Sequence, residues 1–346
     1  MIASRSCERF VYLCPFINYQ KIRQLKVLVT GGAGFIGSNI CEKLLTRTDI
    51  ELVRVIDNLS TGFLSNIQPF LKDSHFEFID GDIREYETCQ SAMKDIDVVL
   101  HQAALGSVPR SIQNPVTSND FNVNGTLNIF FAAKEEKVRK VVFASSSSTY
   151  GNNKDLPKRE ELIGEPLSPY AITKLVGEMY AKVFSNLYDF RFIGFRYFNV
   201  FGPNQSPTGP YAAVIPLFFK EMLAGRSPII NGNGEQSRDF TYVENVVDAN
   251  ISTIFNEDPS AWNQIYNVAC GGKTSLNELF RHIAELTGFT GKPVHGPERK
   301  GDIRDSLADI SKAVSLLNYH PRFTLAEGLR KTHKWYEQNA VAQGTV

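Results

Sequence analysis

Lys26-Val27-Leu28-Val29-Thr30-Gly31-Gly32-Ala33-Gly34-Phe35-Ile36-Gly37 is the stretch whose reading decides the fold. Residues 26–30 form a short β-rich apolar run, and a helix follows from about Phe35. Gly32, Gly34 and Gly37 fall at G-x-G-x-x-G spacing, and Gly31 extends the run. Such glycines allow a tight turn, a close backbone approach to pyrophosphate, and close contact between helix and strand. The free N–H groups of the first helical turn then face phosphate. Gly31, Gly34, Phe35, Ile36 and Gly37 are therefore candidate dinucleotide contacts. Asp57, twenty residues beyond Gly37, ends the next strand. With Asn58 beside it, it would accept hydrogen bonds from the adenosine ribose hydroxyls. Its charge repels a 2′-phosphate, and Asn58, Leu59 and Ser60 bring no cation, so NAD is expected rather than NADP. Arg54, on the same strand, is the one nearby cation. Asp82 follows the third strand in Gly81-Asp82-Ile83-Arg84. It can accept from the adenine amino group, with Ile83 against the ring, or it can cap the turn. Spacing leaves both readings open.

Outward from this turn, residues 52–57, 76–80, 98–101, 140–145 and 192–196 repeat the strand composition. Residues 38–46, 87–94 and 125–136 between them have helical composition. Continuous apolar strands alternating with helices require a parallel sheet covered on both faces. The handedness of the connections makes it doubly wound. The expected class is α/β: a doubly wound parallel sheet (Rossmann) as NAD domain over residues 25–197, with a smaller α/β substrate lobe over 198–346. Beyond residue 197, Gly and Pro punctuate residues 202–210 and strand-like runs shorten. A helix at 246–255 and a strand at 264–268 are expected, with residues about 240–268 returning to the main sheet. Residues 1–24 place Arg5, Arg9, Lys21 and Arg23 between short apolar runs broken by Pro15. They read as an arm or short helix packed on the body, not a signal peptide.

Lys plus Arg and Asp plus Glu both total 37, so the formal charge is zero, which argues against a general nucleic-acid binder. An anionic ligand must then be held by a few local Arg or Lys side chains and by helix ends. Cys7, Cys14, Cys41, Cys89 and Cys270 have neither zinc-site nor disulfide-framework spacing, and the six histidines are scattered. No metal site is expected, and a reducing, cytoplasmic setting fits best. No apolar run is long enough to span a bilayer.

The strand at 140–145 ends in Ser145-Ser146-Ser147-Ser148-Thr149-Tyr150-Gly151, at the strand terminus where ligands bind in such sheets. Pro166-Leu167-Ser168-Pro169-Tyr170-Ala171-Ile172-Thr173-Lys174 follows. Ser168 suits an N-cap and Pro169 the first helical position. Tyr170 and Lys174 then share one helix face at i and i+4. A phenol with pKa near 10 is a poor base at neutral pH. An adjacent ammonium and the positive helix start favour the phenolate. The phenolate can take a proton from a sugar hydroxyl while hydride leaves the same carbon, and a serine at the strand end can shuttle that proton. A Tyr–Lys pair on a helix is common by chance; its place after a complete dinucleotide fingerprint gives it meaning.

With these residues in hand, the sequence resembles the extended short-chain dehydrogenase/reductase family over about residues 25–336. The resemblance rests on the Gly-rich turn, His101-Gln102-Ala103-Ala104, Asn122-Val123-Asn124-Gly125-Thr126, the serine run, the Tyr170–Lys174 pair, Arg196-Tyr197-Phe198-Asn199 and Arg238-Asp239-Phe240. Within the family the chain looks most like the UDP-N-acetylglucosamine 4-epimerases of bacterial polysaccharide pathways. That likeness rests on Leu105-Gly106-Ser107-Val108-Pro109-Arg110, Pro210-Tyr211-Ala212-Ala213-Val214-Ile215-Pro216 and residues 301–309.

The resemblance implies Tyr170 as base, Lys174 as its partner and Ser146 as the catalytic serine, with Ser147 and Ser148 close to the sugar. It implies Ala103 against the cofactor and Asn199 on the substrate diphosphate. Arg238 and Arg299 would bind the diphosphate, Asp302 the uridine ribose, and Ala213 and Val214 would pack the uridine. It implies Ser306 as a gate that leaves space for a 2-acetamido group; otherwise Ser306 is a small loop residue. Independently, bidentate Arg suits phosphate oxygens, although Arg238 could equally pair with Asp239 or Glu235. The expected activity is NAD-dependent 4-epimerisation of UDP-N-acetylglucosamine and UDP-N-acetylgalactosamine through a 4-keto sugar, with UDP-glucose as a further substrate. A UDP-uronate 4-epimerase is the alternative. Dehydratases carry an Asp–Glu pair where this chain has Ser147 and Ser148. A non-catalytic NAD-binding regulator would usually have lost the Tyr, Lys or Ser. The resemblance also implies a homodimer through helices of the NAD lobe.

Overall fold

The structure, a computed structural model, describes residues 24–208, 211–298 and 304–342, with side chains described through residue 338. Seven parallel strands form the main sheet: β1 (Leu25–Thr30), β2 (Ile50–Asp57), β3 (Phe76–Asp80), β4 (Val98–His101), β5 (Lys140–Ser146), β6 (Phe192–Tyr197) and β7 (Gln264–Val268). Their order is β7-β6-β5-β4-β1-β2-β3. The direction of travel reverses at β1, which pairs with β2 on one side and with β4 on the other. That switch point opens a crevice at the carboxyl ends of the strands. The expected doubly wound fold is thus the observed one, with strand ends shifted by at most two residues from those read in the sequence.

Alternation along each strand divides the core into two layers. Val27 and Val29 of β1, with Val53 and Val55 of β2, face helices α1 (Phe35–Leu45) and α6 (Val243–Ile254). Leu28, Ile56, Val99, Val141 and Phe143 face the opposite layer. There the chain places α2 (Tyr86–Met93), α3 (Gly125–Glu135) and α4 (Pro169–Leu187). A π-helical turn at Asp120–Asn124 joins α3 to the short helix before it.

Beyond β6 the chain forms short strand pairs rather than a second large sheet. Val200–Phe201 pairs with Thr241–Tyr242, Ser237–Arg238 with Thr274–Ser275, and Ile229–Asn231 with Val294–Gly296. Helices α5 (Val214–Leu223) and α7 (Leu276–Thr287) pack beside them, with Phe218 against Phe280. The chain then returns through α6 to place β7 beside β6, with Asn267 opposite Arg196. Among the described residues no helix is long and apolar enough to cross a membrane.

Candidate active site

The Gly-rich turn is built by contact as much as by flexibility. Gly31 adopts φ +70°, and a Cβ there would lie 2.7 Å from the backbone of Ala103. A Cβ on Gly37 would lie 2.2 Å from the Gly31 carbonyl oxygen. Gly34 caps α1 without a side-chain hydrogen bond, so the N–H groups opening α1 stay available. Asp57 is fixed by two donors: Ala33 N–H reaches Oδ2 at 3.0 Å and Leu59 N–H reaches Oδ1 at 2.8 Å. Burial pushes its carboxyl up, and these two N–H groups work against that rise.

Asp82 stands differently from Asp57. Its carboxylate accepts from the Arg84 backbone and guanidinium and from Asn58 Nδ2. The Arg84 hydrogen bonds hold it down to about 2. Gly81 and Ile83 line the crevice, but Asp82 is not among the lining residues. Asp82 thus caps its turn, and its neighbours on both sides face the crevice. Arg54 is committed to Glu77 at 2.7 Å and to the carbonyls of Ala92 and Lys94, so it offers no charge to a 2′-phosphate.

The start of α4 is capped as its sequence predicts. Ser168 Oγ accepts from Ala171 N–H at 3.2 Å, and Pro169 opens the helix. A second cap was not legible in the sequence: Tyr170 N–H donates to Ser111 Oγ at 3.0 Å. Another unforeseen tie is the buried Asn122. Its amide accepts from Leu105 N–H at 2.8 Å and donates to Thr173 Oγ1 at 3.1 Å, joining the loop after β4 to α4.

Tyr170, Lys174 and Ser146 line one cavity of about 760 Å³ together with Gly31, Gly34 and Asp57. Phe35, Ile36, Gly37, Asn58 and Ala103 lie on the same walls. The sequence places the Lys174 ammonium and the positive helix start where both favour the Tyr170 phenolate. In the structure burial pushes the phenol up, and the neighbouring Ser146 hydroxyl works against that rise. Lys174 donates to the Ala144 carbonyl at 2.8 Å, its Nζ 6.0 Å from the Tyr170 ring centre. Burial brings the Lys174 ammonium down to about 8. Further in, His101 bridges Thr30 Oγ1 at 2.6 Å and Thr126 Oγ1 at 3.0 Å, and Thr30 Oγ1 also receives Ala103 N–H.

On the substrate side, Asn199 and Ala213 line the cavity. Asn199 also donates to the Asp239 carbonyl at 3.1 Å. Val214, Ser147 and Ser148 are not among the lining residues, and the buried Ser148 hydroxyl finds no partner among the described residues. Ser306 is buried on a strip tied to Ser237 by its N–H, also away from the lining. Arg238 donates to the Ser237 carbonyl at 2.8 Å. The carboxylates once considered as its partners are engaged elsewhere. Asp239 accepts N–H groups of Cys270, Gly271 and Ala308, and Glu235 accepts from Asn277. Arg299 and Asp302 lie outside the described residues, as do residues 1–23 of the N-terminal arm.

Residues 27–269 match the family described as NAD dependent epimerase/dehydratase. The chain belongs to that family. The UDP-N-acetylglucosamine 4-epimerase of Methanobrevibacter ruminantium, solved with UDP-N-acetylmuramic acid, is similar to it at 40% identity and a TM-score of 0.85, covering 92% of this chain and 99% of that one. A UDP-glucose 4-epimerase of Mycolicibacterium smegmatis is 37% identical, over 91% of this chain and 100% of that protein. The UDP-glucuronic acid 4-epimerase of Bacillus cereus, solved with UDP-glucuronic acid and NAD, is 31% identical with a TM-score of 0.84, covering 91% and 100%. The family's NAD fits the residues present. The turn carrying Gly31, Gly32 and Gly34 suits pyrophosphate, and the Asp57 carboxylate suits an unphosphorylated ribose.

Proposed function

We propose that this protein interconverts UDP-N-acetylglucosamine and UDP-N-acetylgalactosamine by NAD-dependent 4-epimerisation, with UDP-glucose and UDP-galactose as further substrates. The carrying observation is the cavity shared by the Gly-rich turn, Asp57 and the Tyr170–Ser146–Lys174 group. Bound in the turn, NAD supplies the acceptor and then the donor of one hydride at the sugar C4. Tyr170 takes the proton of the 4-hydroxyl, Ser146 bridges that hydroxyl, and Lys174 holds positive charge beside the phenolate. Asn199, Arg238 and Arg299 keep the diphosphate anchored while the 4-keto hexose turns its other face. Tyr170 then returns the proton to the inverted alcohol, so the reaction has no net redox change.

Likeness to the Methanobrevibacter enzyme supports an N-acetylated hexose. Ser147 and Ser148, in place of an Asp–Glu pair, speak against dehydration. A UDP-N-acetylglucosaminuronate 4-epimerase is the second reading. It is favoured by Arg110, which lines the cavity with its guanidinium 5.1 Å from the Tyr211 ring centre. The proposal extends to a cytoplasmic role in polysaccharide biosynthesis, to an NAD lobe over 25–197 and a nucleotide-sugar lobe over 198–346, and to a homodimer. Exposed Ile172, Met179, Val183 and Leu187 form an apolar stripe along α4, with exposed Val116 on the helix before α3, which suits a second copy. Sedimentation at a single-chain mass would remove the dimer.

The test is incubation with each UDP-sugar, with products resolved by NMR, for the wild type and Tyr170→Phe. Epimerised N-acetylhexosamine is expected from the wild type alone. Full activity in Tyr170→Phe ends the assignment of the base. Turnover of the uronate only transfers the assignment to the second reading.

A further inference from the structure

Three successive residues at the end of β5 meet three successive turns of α4. The Ser146 hydroxyl neighbours the Tyr170 phenol, the Ala144 carbonyl accepts from Lys174, and Ser145 Oγ donates to Glu178 Oε1 at 2.5 Å. Tyr170, Lys174 and Glu178 are spaced i, i+4 and i+8, one stripe of the helix. The third contact reaches no cavity wall on its helix side, and Glu178 is buried. Its carboxylate is gripped by Arg196 of β6 through a two-pronged pair, Nε to Oε1 at 2.9 Å and Nη2 to Oε2 at 2.7 Å. Arg196 is the register partner of Ser145 on the neighbouring strand.

The far end of the serine run is held by the same group. The Arg196 guanidinium lies 4.8 Å from the Tyr150 ring centre. The Tyr150 hydroxyl donates to Asn267 Oδ1 at 2.6 Å, and Asn267 is the register partner of Arg196 on β7. A rung of Ser145, Arg196 and Asn267 across three strands thus clamps the segment carrying Ser146 at both ends, and Glu178 ties that rung to the helix carrying Tyr170.

We propose that Glu178, with Arg196, is a positioning residue of the reaction: it sets the register of the Tyr170–Lys174 helix against the strand end that presents Ser146. Stability alone does not account for such a pair. Burying two charges costs much of what their attraction returns, and apolar replacements of similar volume are often as stable. The pair supplies direction. One carboxylate simultaneously accepts from Ser145 and Arg196, so helix and strand can meet in one register only. The inference rests on the assignment of Tyr170 and Ser146 made above, which the Tyr170→Phe variant tests separately.

The experiment compares Ser145→Ala, Glu178→Gln and the double variant Glu178→Leu/Arg196→Leu with the wild type, each loaded with NAD. Thermal unfolding, kcat, KM for the UDP-sugar and the pH dependence of kcat are measured. Ser145→Ala keeps the ion pair and removes only the link to the strand. The double variant removes both charges, so neither charge is left buried without its partner. In all three, kcat is expected to fall about 10- to 100-fold, the size of effect that a displacement of up to about 1 Å near reacting groups produces. KM is expected to stay within about twofold, because the nucleotide contacts are untouched. The acid limb of the kcat profile should move to higher pH as the Ser146 hydroxyl draws away from the Tyr170 phenol. The double variant should unfold as late as the wild type and remain slow. Wild-type kcat in folded Ser145→Ala, or kcat restored in the double variant, overturns the proposal, since then only an unpaired charge mattered. If Glu178→Gln does not fold, the other two variants still decide.

Discussion

Replacing Gly37 by Ala sets two effects of opposite sign against each other. Gly37 is the third residue of α1, a helix-interior position. There Gly→Ala ordinarily stabilises by about 1 kcal/mol. The structure opposes this gain. The new methyl would stand 2.2 Å from the Gly31 carbonyl oxygen and 2.8 Å from Gly32 Cα, both backbone atoms of the turn. Carbon–oxygen contacts settle near 3.3 Å or beyond, so the turn and helix must part by about 1 Å. Overpacking of this kind costs about 1–3 kcal/mol, and it falls on the loop that would cradle the pyrophosphate. The contact should therefore win. Gly37→Ala should fold with a thermal midpoint no higher than the wild type, and NAD affinity should fall about 5- to 100-fold, which is about 1–3 kcal/mol. Calorimetric titration of NAD into stripped protein, beside a melting curve, reads both quantities. A variant that melts higher and binds NAD within twofold of the wild type would refute the close-contact account of this glycine.

Two further outcomes follow from the cofactor crevice and the sheet beneath it. Asp57→Asn should weaken NAD about 10-fold or more, since a charge-assisted acceptor contributes about 1.5–3 kcal/mol. NADP binding should change far less, so the NAD-to-NADP affinity ratio measured by titration narrows; an unchanged ratio counts against Asp57 as the ribose ligand. Burial, and to a lesser degree Lys174, pulls the His101 imidazole down to about 3. An unfolded histidine takes up its proton near pH 6.5. The unfolded chain therefore binds more protons between those values, and the stability owed to neutral His101 is complete above about pH 6.5 and lost as pH falls toward 3. Urea midpoints across that range should decline less in His101→Gln than in the wild type, and parallel declines would remove His101 as the cause.

Much of this architecture could be read from residue order because its signals are local. The strands announce themselves as continuous apolar runs, and the Gly-rich turn needs only its own spacing. The Ser168-Pro169 start fixes where Tyr170 and Lys174 fall on one face. What escaped notice depends on register between distant segments. Ser111 meets Tyr170 N–H across 59 positions, and Ser145 meets Glu178 across 33. No spacing rule ties such pairs, since either partner alone looks like an ordinary polar residue. The Asp82 reading stayed open for a related reason: whether a turn carboxylate faces a ligand depends on Arg84 and Asn58 folding back onto it. Burial, which pushes the Tyr170 phenol up, is a property of the whole fold and cannot be read from the neighbour one helical turn away. Where Ser306 falls depends on its N–H meeting the Ser237 carbonyl, 69 positions away, which no local spacing reveals.

The late arrival of β7 has a consequence for how this molecule can be divided. The seventh strand is supplied by residues 264–268, after the chain has already built much of the substrate side and come back. A fragment ending at residue 197 would carry every glycine of the nucleotide turn and both Tyr170 and Lys174. It would also leave β6 as a bare edge, with unpaired peptide groups inviting intermolecular pairing, and Arg196 without the Asn267 rung. Limited proteolysis just beyond β6 should accordingly yield nicked but associated pieces, and excising residues 25–197 as an independent dinucleotide binder calls for the later segment to be grafted back.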